Sequence, residues 1–166
     1  MDILIITTAV LQSIAVALGV GNSTSAVVSF FVAISDGEID KSERRIMGVT
    51  YSLLRIAMIL ILITTAILTL VQFTLYGTAY FTPFVVGFWL LIFVLFFNAF
   101  LMTIHKMPMT FGPALQAASW YTMGIMMALF SIGLYQFTYL QFSIAYAGMI
   151  LLATVLINAV MKTLKK

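Results

Sequence analysis

The chain has no cysteine, a single histidine and little charge, and each shortage removes a class of function. Without cysteine there is no disulfide, no thiolate metal site and no thiol nucleophile. With His105 as the one histidine, neither a hydrolase triad nor a bis-histidine haem site can be assembled. Every acid except Asp2 falls between Asp36 and Glu43, so no carboxylate pair sits inside an apolar segment. No enzymatic activity and no cofactor are expected. Charged residues make up 8% of the chain, against about 25% in a soluble domain. The net charge of +3 is gathered at segment ends and makes no case for nucleic acid.

What remains is apolar sequence: 63% hydrophobic residues and a mean hydropathy of +1.17. Charge is expensive in hydrocarbon, so charged clusters should mark where the chain leaves a bilayer. Between positions 3 and 161, every charged residue except Lys106 lies in the interval 36–55. That interval reads as a turn between two long helices. Asp36-Gly37 has the chemistry of a helix stop, and Asp40-Lys41-Ser42-Glu43 that of a capping box opening the next helix. Asp36, Gly37, Ile39 and Glu43 also match the second half of a calcium-binding EF-hand loop. The first half would place Val32 and Ile34 at ligand positions, so the capped turn is the better reading.

The arms of this hairpin match in length, putting Asn22 opposite Arg55 and Gln12 opposite Thr65. Ser25, Ser29 and Ala33 form a small-residue stripe on the first arm. Lys41, Arg45, Gly48, Ser52 and Arg55 form a polar or small one on the second. Beyond residues 22 and 55 each arm runs on as uncharged sequence, long enough to cross a ~30 Å core. Either the hairpin 22–55 projects past the membrane or a polar layer lies inside it. Projection is the expectation, because it leaves Arg55 at the interface.

The predicted fold is an all-α polytopic membrane bundle forming one domain. Its five spans cover residues 3–34, 42–76, 80–104, 109–135 and 138–161, the first two extended into the helical hairpin. The sequence Gly19-Val20-Gly21 suggests a kink in the first span. This layout puts Lys41, Arg44, Arg45, Lys106, Lys162, Lys165 and Lys166 on one side, with Arg55 close to it. By the positive-inside rule that side is cytoplasmic, so the N-terminus is outside and the C-terminus inside. Tyr76, Tyr80, Tyr135 and Tyr139 flank the two uncharged links, where interfacial tyrosines belong.

Candidate sites come from polar groups set in apolar sequence. Gln12, Asn22, Ser25, Arg55, Asn98, Gln116 and Asn158 are the pathway or polar-layer candidates. The same groups also serve as interhelical hydrogen-bond glue, at ~0.6 kcal/mol per contact. Residues 19–25, two glycines followed by amide and hydroxyl residues, suit a broken helix that coordinates a solute. They equally suit close packing through Ala15, Gly19 and Ser23. His105 with Met102, Met107 and Met109 offers a weak set of Cu(I) ligands, although methionine also fills irregular membrane cores.

Two functions follow. The first, slightly preferred, is an oligomeric transporter or channel for a small solute or ion, using a polar path near Gln12 and Asn22. The second is a non-transporting membrane subunit or scaffold whose hairpin docks a partner. Besides the lipid bilayer, a second copy of the chain or a membrane-complex partner is expected, and no nucleic acid.

Overall fold

The computed structural model describes residues 2–35, 40–108 and 110–164, and all regular structure among them is helical. Five α-helices follow in order: α1 (Asp2–Ser35), α2 (Lys41–Tyr76), α3 (Pro83–Thr103), α4 (Phe111–Ser131) and α5 (Tyr139–Leu164). A 3-10 turn over Gly77–Tyr80 joins α2 to α3. Four of them, α1, α2, α3 and α5, are long and apolar enough to cross a membrane. The chain is an all-helical integral membrane protein.

Local chemistry sets the helix ends. At the start of α2, the Glu43 backbone N–H donates to the Asp40 carboxylate at 2.6 Å. The Asp40 N–H donates to Glu43 at 3.1 Å, which completes the expected capping box. Asp36, Gly37, Glu38 and Ile39, which carry the helix stop and the EF-hand half-match, lie outside the described residues. Helix α3 begins at Pro83, later than expected, because Thr82 caps it and proline occupies the first helical turn. Thr138 and Gln141 form a second capping box ahead of α5, with bonds of 2.8 and 3.2 Å.

Helices α3 and α4 stop in the same way. Past α4, the Leu134 N–H donates to the Leu129 carbonyl and the Gly133 N–H to Phe130, with Gly133 at φ 79°. Past α3, Lys106 donates to Leu101 and His105 to Met102, with His105 at φ 55°. Both are left-handed Schellman stops, which suit glycine and strain most other residues. His105→Gly should therefore stabilise the protein by about 1 kcal/mol, and Gly133→Ala should destabilise it by a similar amount. Thermal unfolding in micelles reads both, and equal melting temperatures for His105→Gly and wild type would discount the strain.

Helix α4 is the hub of the bundle. It meets α1 where Trp120 covers Gly19, α3 where Asn98 bonds the Gly112 carbonyl, and α5 where Ser119 bonds Tyr146. It alone among the five lacks a stretch long and apolar enough to qualify as a membrane span, and burial accounts for its polar residues. Gln116 is half-buried, and Ser119 and Thr122 are buried against other helices or their own backbone, so they are shielded from lipid. At the N-terminal end of α5, Phe84, Phe137, Phe142 and Tyr146 form a column of rings with centroids 6.0–6.2 Å apart. Phe142 lies on Gly87, where an added Cβ would come within 2.9 Å of the ring. Elsewhere α5 turns Leu140, Ile144, Leu151, Val155 and Leu156 outward, as a helix facing lipid does.

Helices α1 and α2 run antiparallel in the expected register. The Gln12 amide donates to the Thr65 hydroxyl at 2.9 Å, and at the far end Phe30 lies near Tyr51 and Leu54. The arms do not leave the bundle at Asn22 and Arg55. Ser23, Phe30, Tyr51 and Leu54 still pack beside Met102, Pro113 and Gln116, about two turns beyond Asn22. No break interrupts α1 at residues 19–25.

Candidate functional site

The candidate polar residues fall into three sets, distinguished by what each side chain bonds. The first set joins helices. Besides the Gln12–Thr65 pair, the Asn98 amide on α3 donates to the Gly112 carbonyl at 2.9 Å and to Gln116 Oε1 on α4 at 3.1 Å. It also lies 3.7 Å from the Met102 sulfur, and Gln116 Nε2 lies 3.7 Å from the Met58 sulfur on α2. Asn98 is 0% exposed and its Oδ1 has no hydrogen-bond partner. One connected cluster therefore ties α2, α3 and α4 near the end of the bundle that carries Lys106.

The second set turns back on its own helix. Asn22 donates to the Leu18 carbonyl at 2.8 Å, Ser25 to Gly21 at 3.0 Å and Asn158 to Thr154 at 2.9 Å. Asn158 and Ser25 are exposed, so neither joins the buried cluster. The third set is Arg55 alone. It is exposed and has no hydrogen-bond or ion-pair partner among the described residues. The structure brings Asn98 and Gln116 together and keeps Gln12, Asn22, Ser25, Arg55 and Asn158 apart from them.

Beside Gln116 lies a cavity of about 30 Å³, lined by Ser23, Phe30, Tyr51, Leu54, Met102 and Pro113 among others. That volume holds a water molecule or two and falls far below the 300 Å³ or so of a ligand pocket. A larger cleft of about 430 Å³ opens at the opposite end, between Thr82, Pro83 and residues 135–138 with Gln141. Of its polar lining residues, Thr82, Thr138 and Gln141 are committed to helix caps. Neither cavity reaches Gln12 or Asn22.

The methionine candidates act in packing. Met102 and Met107 both press on Gly112, where an added Cβ would lie 3.0 Å from each Cγ. His105 is exposed in the left-handed stop after α3, and Met109 lies outside the described residues. Among the described residues, no three histidine, aspartate or glutamate side chains gather as a metal site.

Several joints were not anticipated from sequence. Trp120 on Gly19 is the tightest, with an added Cβ 2.2 Å from the ring, and its indole Nε1 is buried without a partner. The Ser119–Tyr146 hydroxyl pair at 2.8 Å, Thr24–Tyr121 at 2.7 Å and Trp89–Thr69 at 3.0 Å are the others. The small-residue run Ala117-Ala118-Ser119 before Trp120 was the available signal, since small faces mark close helix contacts. Compared with known proteins, the chain matches no family model, no curated protein and no solved structure.

Proposed function

We propose that the chain is a non-transporting membrane subunit or scaffold, with no catalytic role. One observation carries the choice over transport. Gln12 and Asn22, the residues a polar path would need, bond to Thr65 and to the Leu18 carbonyl, and neither lines the two cavities described above. These are the bonds expected of helix–helix glue. In this reading α4 also crosses the membrane, which makes five spans, the ends bearing Lys41, Lys106 and Lys162 face the cytoplasm, and the N-terminus is outside. The tip of the α1–α2 pair, where Val28, Val32, Ile46 and Val49 are exposed, is the element that meets a cytoplasmic or membrane partner.

Because the chain has no native cysteine, single cysteines test both points in one panel. In intact cells, an impermeant thiol reagent should label Thr78→Cys and Gln136→Cys and spare Lys106→Cys. The inverse pattern would reverse the orientation. In purified protein, open to reagent from both sides, Lys106→Cys should react while Gln12→Cys stays silent to a small charged reagent. Reaction of Gln12→Cys at the rate of Thr78→Cys would reveal a water path and return the protein to the transport class.

A further inference from the structure

The outward face of α2 near the Lys106 end has no protein partner among the described residues, and its chemistry is divided lengthwise. Lys41, Arg44, Arg45, Gly48, Ser52 and Arg55 are all exposed. At ~100° per residue they occupy one half of the lipid-facing side, with Val49, Leu53 and Ile56 beside them. The buried residues Thr50, Leu54, Ala57, Met58 and Ile61 lie on the opposite side, which fixes this stripe as outward.

We propose that this stripe is a binding site for an anionic phospholipid, its phosphate seated over Gly48 and Ser52 between Arg45 and Arg55. Three observations place it there. The first is level: Tyr51 and Leu54 lie beside Met102 and Pro113, the last turn of α3 and first turn of α4, where helices reach the membrane interface. The second is space. A Cβ added at Gly48 meets nothing within 4 Å, and the Ser52 hydroxyl folds back onto the Gly48 carbonyl at 2.9 Å. Arg45 and Arg55 are ~15 Å apart along the axis, so one side chain can reach down and the other up to the same phosphate.

The third is charge. The nearest described acids, Asp40 and Glu43, bond each other's backbone in the capping box, and Lys41, Arg44, Arg45 and Arg55 have no ion-pair partner among the described residues. From Arg44 to Arg55 the helix carries three arginines and no acid, so this stretch of the stripe is positive and open to the bilayer. Further into the membrane, Ile56, Ile59 and Ile63 are exposed in a row along which an acyl chain can lie. A guanidinium pair above an apolar ridge matches a phosphate above a hydrocarbon tail.

Native mass spectrometry of the full chain, released from micelles holding phosphatidylglycerol or phosphatidylcholine, tests the site. Wild type should retain phosphatidylglycerol in preference to phosphatidylcholine. Arg45→Gln/Arg55→Gln should lower that retention roughly tenfold or more, while Lys106→Gln leaves it unchanged. Gly48→Leu keeps every charge and has room for its side chain, so it should fold normally yet block the seat. Equal retention of the two lipids, or undiminished phosphatidylglycerol on the double variant and on Gly48→Leu, would overturn the proposal. So would a dimer present in wild type and lost in the double variant with lipid adducts intact, which would assign the stripe to a second copy.

Discussion

Gly19→Leu should fail to give a folded bundle, and Gly19→Ala should fold with clearly reduced stability. A Cβ at residue 19 would stand 2.2–2.4 Å from three carbons of the Trp120 ring, and that ring is 0% exposed. Overpacking a closed core costs about 1–3 kcal/mol, and more where the intruding group is branched. Trp120→Ala removes the largest fully buried side chain and should cost ~3–5 kcal/mol. Packing is what holds helices together in lipid, so most of that loss persists in a membrane. Trp120→Phe keeps part of the ring and discards the unpartnered indole N–H, so it should cost far less. The pair is diagnostic. Gly19→Ala added to Trp120→Ala should be neutral or slightly favourable, because the new methyl enters the space the indole left. Reversible unfolding in mixed micelles measures all four variants. If Gly19→Ala is equally harmful with and without Trp120, the clash is not its cause.

The contrast between this joint and the Gln12–Thr65 bond separates what the sequence makes legible from what it does not. Residues 12 and 65 could be paired in advance because charges locate the turn at residues 36–41, and an antiparallel hairpin then fixes the register. Nothing comparable links residue 19 to residue 120. Which helix packs beside α1 depends on the arrangement of the bundle, and hydropathy records only that a segment is apolar. Asn98, Gln116 and Asn158 make the same point within one level of the membrane. Counting from helix ends puts all three near the basic side. Yet Asn98 and Gln116 meet inside, while Asn158 faces outward and bonds its own backbone. Depth follows from counting residues, whereas facing depends on neighbours that an almost uniformly apolar surface does not specify. The helix stops show a third limit. Glycine at 133 announces a left-handed residue, but His105 adopts the same conformation without any compositional signal.

Asn98 should be the most sensitive polar position in the protein, and its variants should rank by what they leave unpaired. Its amide serves the Gly112 carbonyl and Gln116 Oε1 at once, so Asn98→Ala strips two acceptors of their donor and opens a cavity beside Met102. Losing a buried donor costs about 1–3 kcal/mol before the cavity is counted. Gln116→Leu removes one acceptor, fills space beside the small cavity at Ser23 and Leu54, and should be milder. The double variant Asn98→Leu/Gln116→Leu leaves only the Gly112 carbonyl to satisfy. It should therefore be less destabilised than the sum of the two single leucine variants, with a coupling of roughly 0.5–2 kcal/mol. Asn98→Asp is the extreme case. A carboxylate at a fully buried site in α3 must either ionise in a low-dielectric core, at a cost of at least ~2.5 kcal/mol, or remain protonated. A protonated carboxyl keeps one donor where the amide had two. Asn98→Asp should then be tolerated at acid pH and lose stability as pH rises, because its carboxyl is held neutral in the folded state and ionises freely in the unfolded one. The unfolding midpoint against pH is the measurement. A flat profile for Asn98→Asp, or strict additivity in the leucine cycle, would mean that the cluster does not tie α3 to α4 as a unit.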